Sequence, residues 1–163
     1  MKTLYVLRHG QAAPESEVTS DHARPLTPRG QAEVRMSAEH LAKLPSLPSL
    51  VLTSGALRAQ ATAELCLASW AKRPELRVTD RLYLAGPSSY LNELAAGGEP
   101  HQVAMVVGHN PGLEALVFVL SERSEHLATA SWVEIELPIS SWNELSGLSR
   151  HGGRLVSSFH ASG

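Results

Sequence analysis

The sequence predicts an α/β fold, a three-layer sandwich in which a mostly parallel central sheet is flanked by helices and carries an antiparallel C-terminal edge. Two observations point there. Apolar segments of strand length alternate in order with helix-patterned segments, the arrangement that produces a parallel sheet covered by helices. The central strand segments are apolar at nearly every position, whereas residues 131–137 alternate polar and apolar, as a strand with one face in water does.

Taken in order, Thr3-Leu4-Tyr5-Val6-Leu7 is a β-favouring run that stops at Arg8-His9-Gly10-Gln11, so Arg8 and His9 fall where strand gives way to turn. Residues 12–24 are polar and aperiodic and read as a surface loop. Thr27 suits a helix N-cap and Pro28 the first helical position. That helix is expected to reach about Leu44, with Val34, Ala38, Leu41, Ala42 and Leu44 facing the core, and Pro45 and Pro48 close it. A short strand over 49–53 leads through Ser54-Gly55 into a helix over 57–71, with Arg58 in its first turn. Residues 76–79 form a weaker strand, 81–87 a loop, and 88–96 a helix stopped by Gly97-Gly98. The strand over 102–108 ends on His109, and Asn110 and Pro111 suit the N-cap and first position of a helix over 113–120. Residues 154–159 are expected to pair with 131–137. No repeat or linker interrupts the chain, so residues 1–163 read as one domain.

Composition narrows the functions. At 163 residues the chain can bury a real core, and 14 Lys and Arg against 16 Asp and Glu leave a net charge of −2, so no basic face advertises nucleic acid. The one cysteine, Cys66, excludes an intrachain disulfide and sits between leucines as a buried apolar residue. No h-region precedes the first strand, and no apolar run approaches the ~20 residues that span a bilayer. A soluble, cytoplasmic monomer without membrane or nucleic-acid partners is expected.

Parallel strands bring their C-terminal ends to one edge, where open α/β sheets bind ligands. Arg8, His9, Arg58 and His109 reach that edge from three strand ends. Two guanidiniums match a phosphate bidentately, and two imidazoles add a nucleophile or further donors. Neighbouring cations repel unless an anion joins them, so the four read as an anion site. His109 also stands beside a helix N-terminus, which favours anions. Metal binding is the rival use of two histidines, but a third Cys, Asp or Glu ligand is missing and two arginines are poor company for a cation. No metal or cofactor is expected.

Leu7-Arg8-His9-Gly10 with a later Gly108-His109 resembles the histidine phosphatase superfamily, whose fold is shared with the phosphoglycerate mutases. Arg24-Pro25-Leu26-Thr27 with Gly30, Thr53-Ser54 through Leu57-Arg58-Ala59 with Thr62, and Gly108-His109-Asn110-Pro111-Gly112 are similar to the SixA-type phosphohistidine phosphatase branch. The resemblance implies that His9 is a nucleophile that becomes transiently phosphorylated. It likewise implies that Arg8 and Arg58 hold the phosphoryl oxygens and that His109 donates to charge developing in the transition state. Gln11 is a candidate amide donor under the phosphate, or else a solvated residue. Arg24 is a candidate for the rim of the site, or else a capping or surface residue.

Superfamily members that cleave esters carry a carboxylate after the second helix to protonate the leaving alkoxide. Here the segment reads Asp80-Arg81-Leu82-Tyr83-Leu84-Ala85-Gly86-Pro87, with no acid where the resemblance would put one; Asp80 and Glu93 are the remaining candidates. An alkoxide suffers from that absence more than a phosphorylated imidazole does. A phosphohistidine phosphatase acting on a phosphotransfer protein is therefore expected. The alternatives are a small-molecule phosphomonoesterase and a non-catalytic phosphate-binding module. His22, His40, His101, His126, His151 and His160 read as surface residues, Trp70, Trp132 and Trp142 as packing, and His151-Gly152-Gly153 as a hairpin turn.

Overall fold

The computed structural model describes residues 1–146 and 152–161, so His151 of the expected hairpin turn lies outside the described residues. Six strands form one sheet: β1 (Lys2–Arg8), β2 (Leu50–Ser54), β3 (Glu75–Thr79), β4 (Val103–Gly108), β5 (Trp132–Leu137) and β6 (Arg154–Phe159). Their order is β3-β2-β4-β1-β5-β6. The first four are mutually parallel, β5 runs antiparallel to β1, and β6 antiparallel to β5. This is the predicted sandwich with its antiparallel edge.

The two-residue period of β1 sorts the core into two halves. Leu4 and Val6 join one buried cluster with α3 (Pro87–Gly97) and α4 (Gly112–Ser121). Tyr5 and Leu7 join another with α1 (Pro28–Ala42) and α2 (Leu57–Ala68). Each fully buried leucine or valine contributes about 1.5–3 kcal/mol. A one-residue slip of β1 would exchange its side chains between the two clusters, so the register of Arg8 and His9 is fixed by the core beneath them.

Most local expectations hold, with boundary shifts. Thr27 accepts the Gly30 N–H at 2.9 Å and Pro28 opens α1, while Val34, Ala38 and Leu41 are buried. Ala42, expected inside, lies a step further round the helix and is exposed, and Leu44 packs against the cluster from beyond the helix end. The second helix stops at Ala68, short of the expected 71, because the Ser69 hydroxyl takes the Cys66 carbonyl at 2.8 Å and Trp70 turns into the core.

Asn110 is not the N-cap expected of it. Pro111 flanks the helix, which begins at Gly112, and the Asn110 amide nitrogen is drawn instead to Glu114 Oε2 (2.9 Å) and the Leu127 carbonyl (2.8 Å). His101 is half-buried rather than superficial, between Ser49 and Glu75. Cys66, Trp70, Trp132 and Trp142 are buried as expected. The expected surface loop over 12–24 contains 3-10 turns at Glu15–Glu17 and Asp21–Ala23, and the second of these reaches the edge where the strands end. Among the described residues, no helix is long and apolar enough to cross a membrane.

Candidate active site

The three neighbouring strands β2, β4 and β1 end side by side, and each delivers a polar side chain. The loop after β1 is seated by glycine. A Cβ on Gly10 would stand 2.7 Å from Val34 Cγ2 and 2.8 Å from the Gly30 carbonyl oxygen, so only glycine lets this loop lie on the first turns of α1. The Gly10 N–H donates to Thr62 Oγ1 at 3.0 Å, which anchors the same loop to α2.

His9 is thereby held almost fully buried. Its Nδ1 lies 2.7 Å from the Gly10 carbonyl oxygen, which can only accept, so Nδ1 carries the proton and Nε2 keeps its lone pair. Burial lowers the His9 pKa to about 4, with Arg58, Arg8 and Arg24 adding to the shift and the bond to Gly10 opposing it. At neutral pH the ring is an uncharged base with a bare nitrogen.

His109, at the end of β4, stands 5.2 Å from His9 between ring centroids. Its Nε2 is 2.8 Å from Ser54 Oγ at the end of β2. Ser54 Oγ also accepts the Ala56 N–H at 3.1 Å, and a Ser54 hydroxyl that donates to Nε2 leaves the ring proton of His109 on Nδ1. His109 Nδ1 is buried without a partner. Burial lowers the pKa of His109 to about 3, helped by His9 and Arg58 and opposed by Asp21.

Two guanidiniums complete the group. Arg8 Nη1 donates to the Leu127 carbonyl at 3.0 Å. Arg58, on the first turn of α2, donates from Nη1 to the Asp21 carbonyl (2.8 Å) and from Nη2 to Asp21 Oδ2 (3.0 Å). The Nε of each is buried and without a partner. Burial lowers the pKa of Arg8, with Glu114 and Glu33 opposing and Arg58 adding. The cations expected to need an outside anion thus have resident carboxylates nearby, which the sequence reading did not foresee.

Arg8, His9, Arg58 and His109 are brought together as expected. Arg8 Nε, Arg58 Nε and His109 Nδ1, all without partners, share the site with a ring nitrogen that keeps its lone pair, an arrangement suited to a tetrahedral oxyanion. Gln11 does not stand loose in solvent: its Oε1 accepts from Thr27 Oγ1 at 2.8 Å. Arg24 binds the Ala13 carbonyl (2.6 Å) and Asp21 Oδ1 (3.0 Å), and its charge reaches His9. Asp80 is largely exposed and paired with His22 at 2.9 Å, and Glu93 is paired with Arg81 at 3.4 Å. Among the described residues, no three His, Cys, Asp or Glu side chains are grouped to hold a metal.

The family model for the histidine phosphatase superfamily (branch 1) matches residues 4–83, the stretch that carries Arg8, His9 and Arg58. An uncharacterized protein of Mycobacterium tuberculosis is 35 % identical over 136 residues, 82 % of each chain. The chain belongs to the histidine phosphatase superfamily. Its fold matches that of a Nakamurella multipartita protein named as a SixA phosphohistidine phosphatase, with a TM-score of 0.86 at 24 % identity over 99 % of this chain and 97 % of that one. It also matches the protein histidine phosphatase SixA complexed with tungstate, with a TM-score of 0.78 at 23 % identity over 98 % and 97 % of the two chains.

Asp21 and Tyr83 have no role in the expectations from sequence, and Ser54 and Thr62 enter them only as motif residues without a stated part. Asp21, Ser54, Thr62 and Tyr83 all touch the four site residues or their anchors. Tyr83 donates its hydroxyl to Asp21 Oδ2 and sets its ring edge-on to His109, centroids 5.7 Å apart. Asp21 three residues before Arg24 was the available signal, since that spacing joins the two across one turn.

Proposed function

We propose that the protein is a phosphohistidine phosphatase that removes phosphate from a phosphorylated histidine of a phosphotransfer protein through a phospho-His9 intermediate. The observation that carries the reading is the bare Nε2 of neutral His9 beside the partnerless donors of Arg8, Arg58 and His109.

In the first step His9 Nε2 attacks phosphorus, and the N–P bond of the substrate breaks with its electron pair passing to the leaving ring. Arg8 and Arg58 hold the phosphoryl oxygens through their free Nε edges. His109 donates from Nδ1 to the charge that grows on the equatorial oxygens. In the second step water displaces phosphate from phospho-His9 and restores the ring. The guanidiniums and imidazoles supply the positive charge that a metal ion supplies in other phosphoryl-transfer sites, so the reading needs no metal.

The leaving group supports an N–P rather than an O–P bond. Asp80 is taken up by His22 and Glu93 by Arg81, and neither touches the four site residues. The pKa of Asp21 is held well below the usual carboxylate range by the Tyr83 hydroxyl and the two arginines, so it has no proton to give an alkoxide. The fold likeness to SixA proteins supports the same substrate class.

The test is turnover on a histidine-phosphorylated phosphotransfer domain beside a panel of small phosphate esters. The reading expects the phosphohistidine substrate to win by orders of magnitude. An ester that wins instead identifies a small-molecule phosphomonoesterase, and tight phosphate binding with no turnover of either identifies a binding module.

A further inference from the structure

Asp21 stands where a phosphate site has least use for it, a carboxylate against the guanidinium that receives the anion. The Asp21 side chain is 27 % exposed, against 3 % for Arg58. Asp21 Oδ2 accepts from Arg58 Nη2 and from the Tyr83 hydroxyl, and Oδ1 accepts from Arg24 Nη1. An ionised carboxylate has about four lone-pair positions, and these bonds occupy three, leaving one on Oδ1.

Two guanidiniums, Arg24 on Oδ1 and Arg58 on Oδ2, flank the carboxylate, and the Tyr83 and His22 rings and the Asp80 carboxylate stand beside this group. The ring of Tyr83 packs edge-on against His22, 4.9 Å between centroids, and His22 is tied to Asp80. The lone pair left on Oδ1 accepts an N–H of a flat cation, and the ionised carboxylate has no proton to give an alkoxide. A phosphohistidine is that cation when its second ring nitrogen is protonated, as an imidazole with a pKa near ~6.5 is in part at neutral pH.

We infer that Asp21 determines the specificity of this site by accepting the N–H of the leaving imidazolium ring of a phosphohistidine substrate. This inference rests on the phosphohistidine reading above and adds the means of discrimination. The step balances without an acid. The His9 Nε2–P bond forms and the ring N–P bond breaks. The bonding pair stays on the ring nitrogen, and the ring enters as a cation and leaves neutral with its proton still on the other nitrogen. Asp21 holds that proton by a hydrogen bond and never takes it.

The experiment compares kcat/KM for free phosphohistidine with that for p-nitrophenyl phosphate, an ester whose leaving group needs no acid and has no N–H. Asp21→Asn is expected to lose at least tenfold more activity on phosphohistidine than on the aryl ester, and Asp21→Glu to restore most of that ratio. Tyr83→Phe, which releases a lone pair on Oδ2, is expected to hold the ratio at or above the wild-type value. Asp21→Ser replaces Asp21→Asn should the latter not fold. Equal losses on the two substrates overturn the inference and reduce Asp21 to a support for Arg58, while the phosphohistidine reading stands. A wild-type protein that cleaves the aryl ester but not phosphohistidine overturns the reading itself.

Discussion

The rings of His9 and His109 stand 5.2 Å apart and tilted by 54°, carried on the ends of β1 and β4, which pair in register from Thr3 opposite Val103 to Arg8 opposite Gly108. That register joins residues a hundred positions apart in one site. Burial, with Arg58 and Arg8 close enough to add to the effect, keeps both imidazoles uncharged at neutral pH.

The first prediction concerns the state of those rings. His9 in the free protein remains the neutral, Nδ1-protonated tautomer down to about pH 5 and titrates near pH 4. Long-range proton–nitrogen correlation spectra over a pH series report this directly. Titration near the ordinary ~6.5 of a histidine contradicts it.

Stability follows with a definite sign. The unfolded chain binds protons at His9 and His109 from pH ~6.5 downward, whereas the folded protein resists until about 4 and about 3. The unfolded state is therefore favoured as pH falls through this window, by about 3 kcal/mol for His9 and about 5 kcal/mol for His109 at the acid ends of their ranges. Denaturant midpoints of the free protein should fall steadily between pH 6.5 and pH 4, and less so in His9→Gln.

Arg8→Met separates function from stability. The substitution removes a cation that Arg58 repels and leaves the Leu127 carbonyl with its Asn110 donor. The free protein is expected to keep or raise its Tm, while activity falls by about a thousandfold, the scale on which a single transition-state donor acts. Stabilisation by added phosphate or tungstate should shrink in parallel. A large drop in Tm without anion would show that Arg8 is held mainly as a structural group.

Thr62→Val tests the seat of the nucleophile loop. Thr62 Oγ1 accepts from Gly10 N–H and donates to the Arg58 carbonyl at 2.7 Å, so its loss leaves a buried N–H unpaired at a cost of about 1–3 kcal/mol. Gly10→Ala is expected to cost more, because the added methyl meets the Gly30 backbone as well as Val34. Chemical denaturation of both variants measures the difference.

The strand ends were legible in the sequence because burial writes a period into it. The run Thr3 to Leu7 stops at Arg8-His9, and parallel pairing carries His109 to the same edge. Arg58 followed from its place at the start of a helix after β2. Asp21 and Tyr83 were not legible, since their bond joins two loops 62 positions apart and loop-to-loop side-chain bonds leave no period. Resident carboxylates were missed for a related reason: Glu33 points inward from a helix whose pattern only says that a position is polar, and its bonds to Gln11 N–H and Thr129 appear only when the chain folds. Asn110 was misread because local cap chemistry competed with a distant partner, the Leu127 carbonyl, and lost.

A phosphoryl group carried on His9 during turnover is the step on which the proposed mechanism depends. Rapid mixing with a histidine-phosphorylated phosphotransfer domain, alkaline quenching to preserve N–P bonds, and peptide mass mapping measure it. One phosphoryl group is expected on His9 in the wild type, and neither adduct nor turnover in His9→Ala. Turnover that persists in His9→Ala, or a phosphoryl group on any other residue, would contradict it.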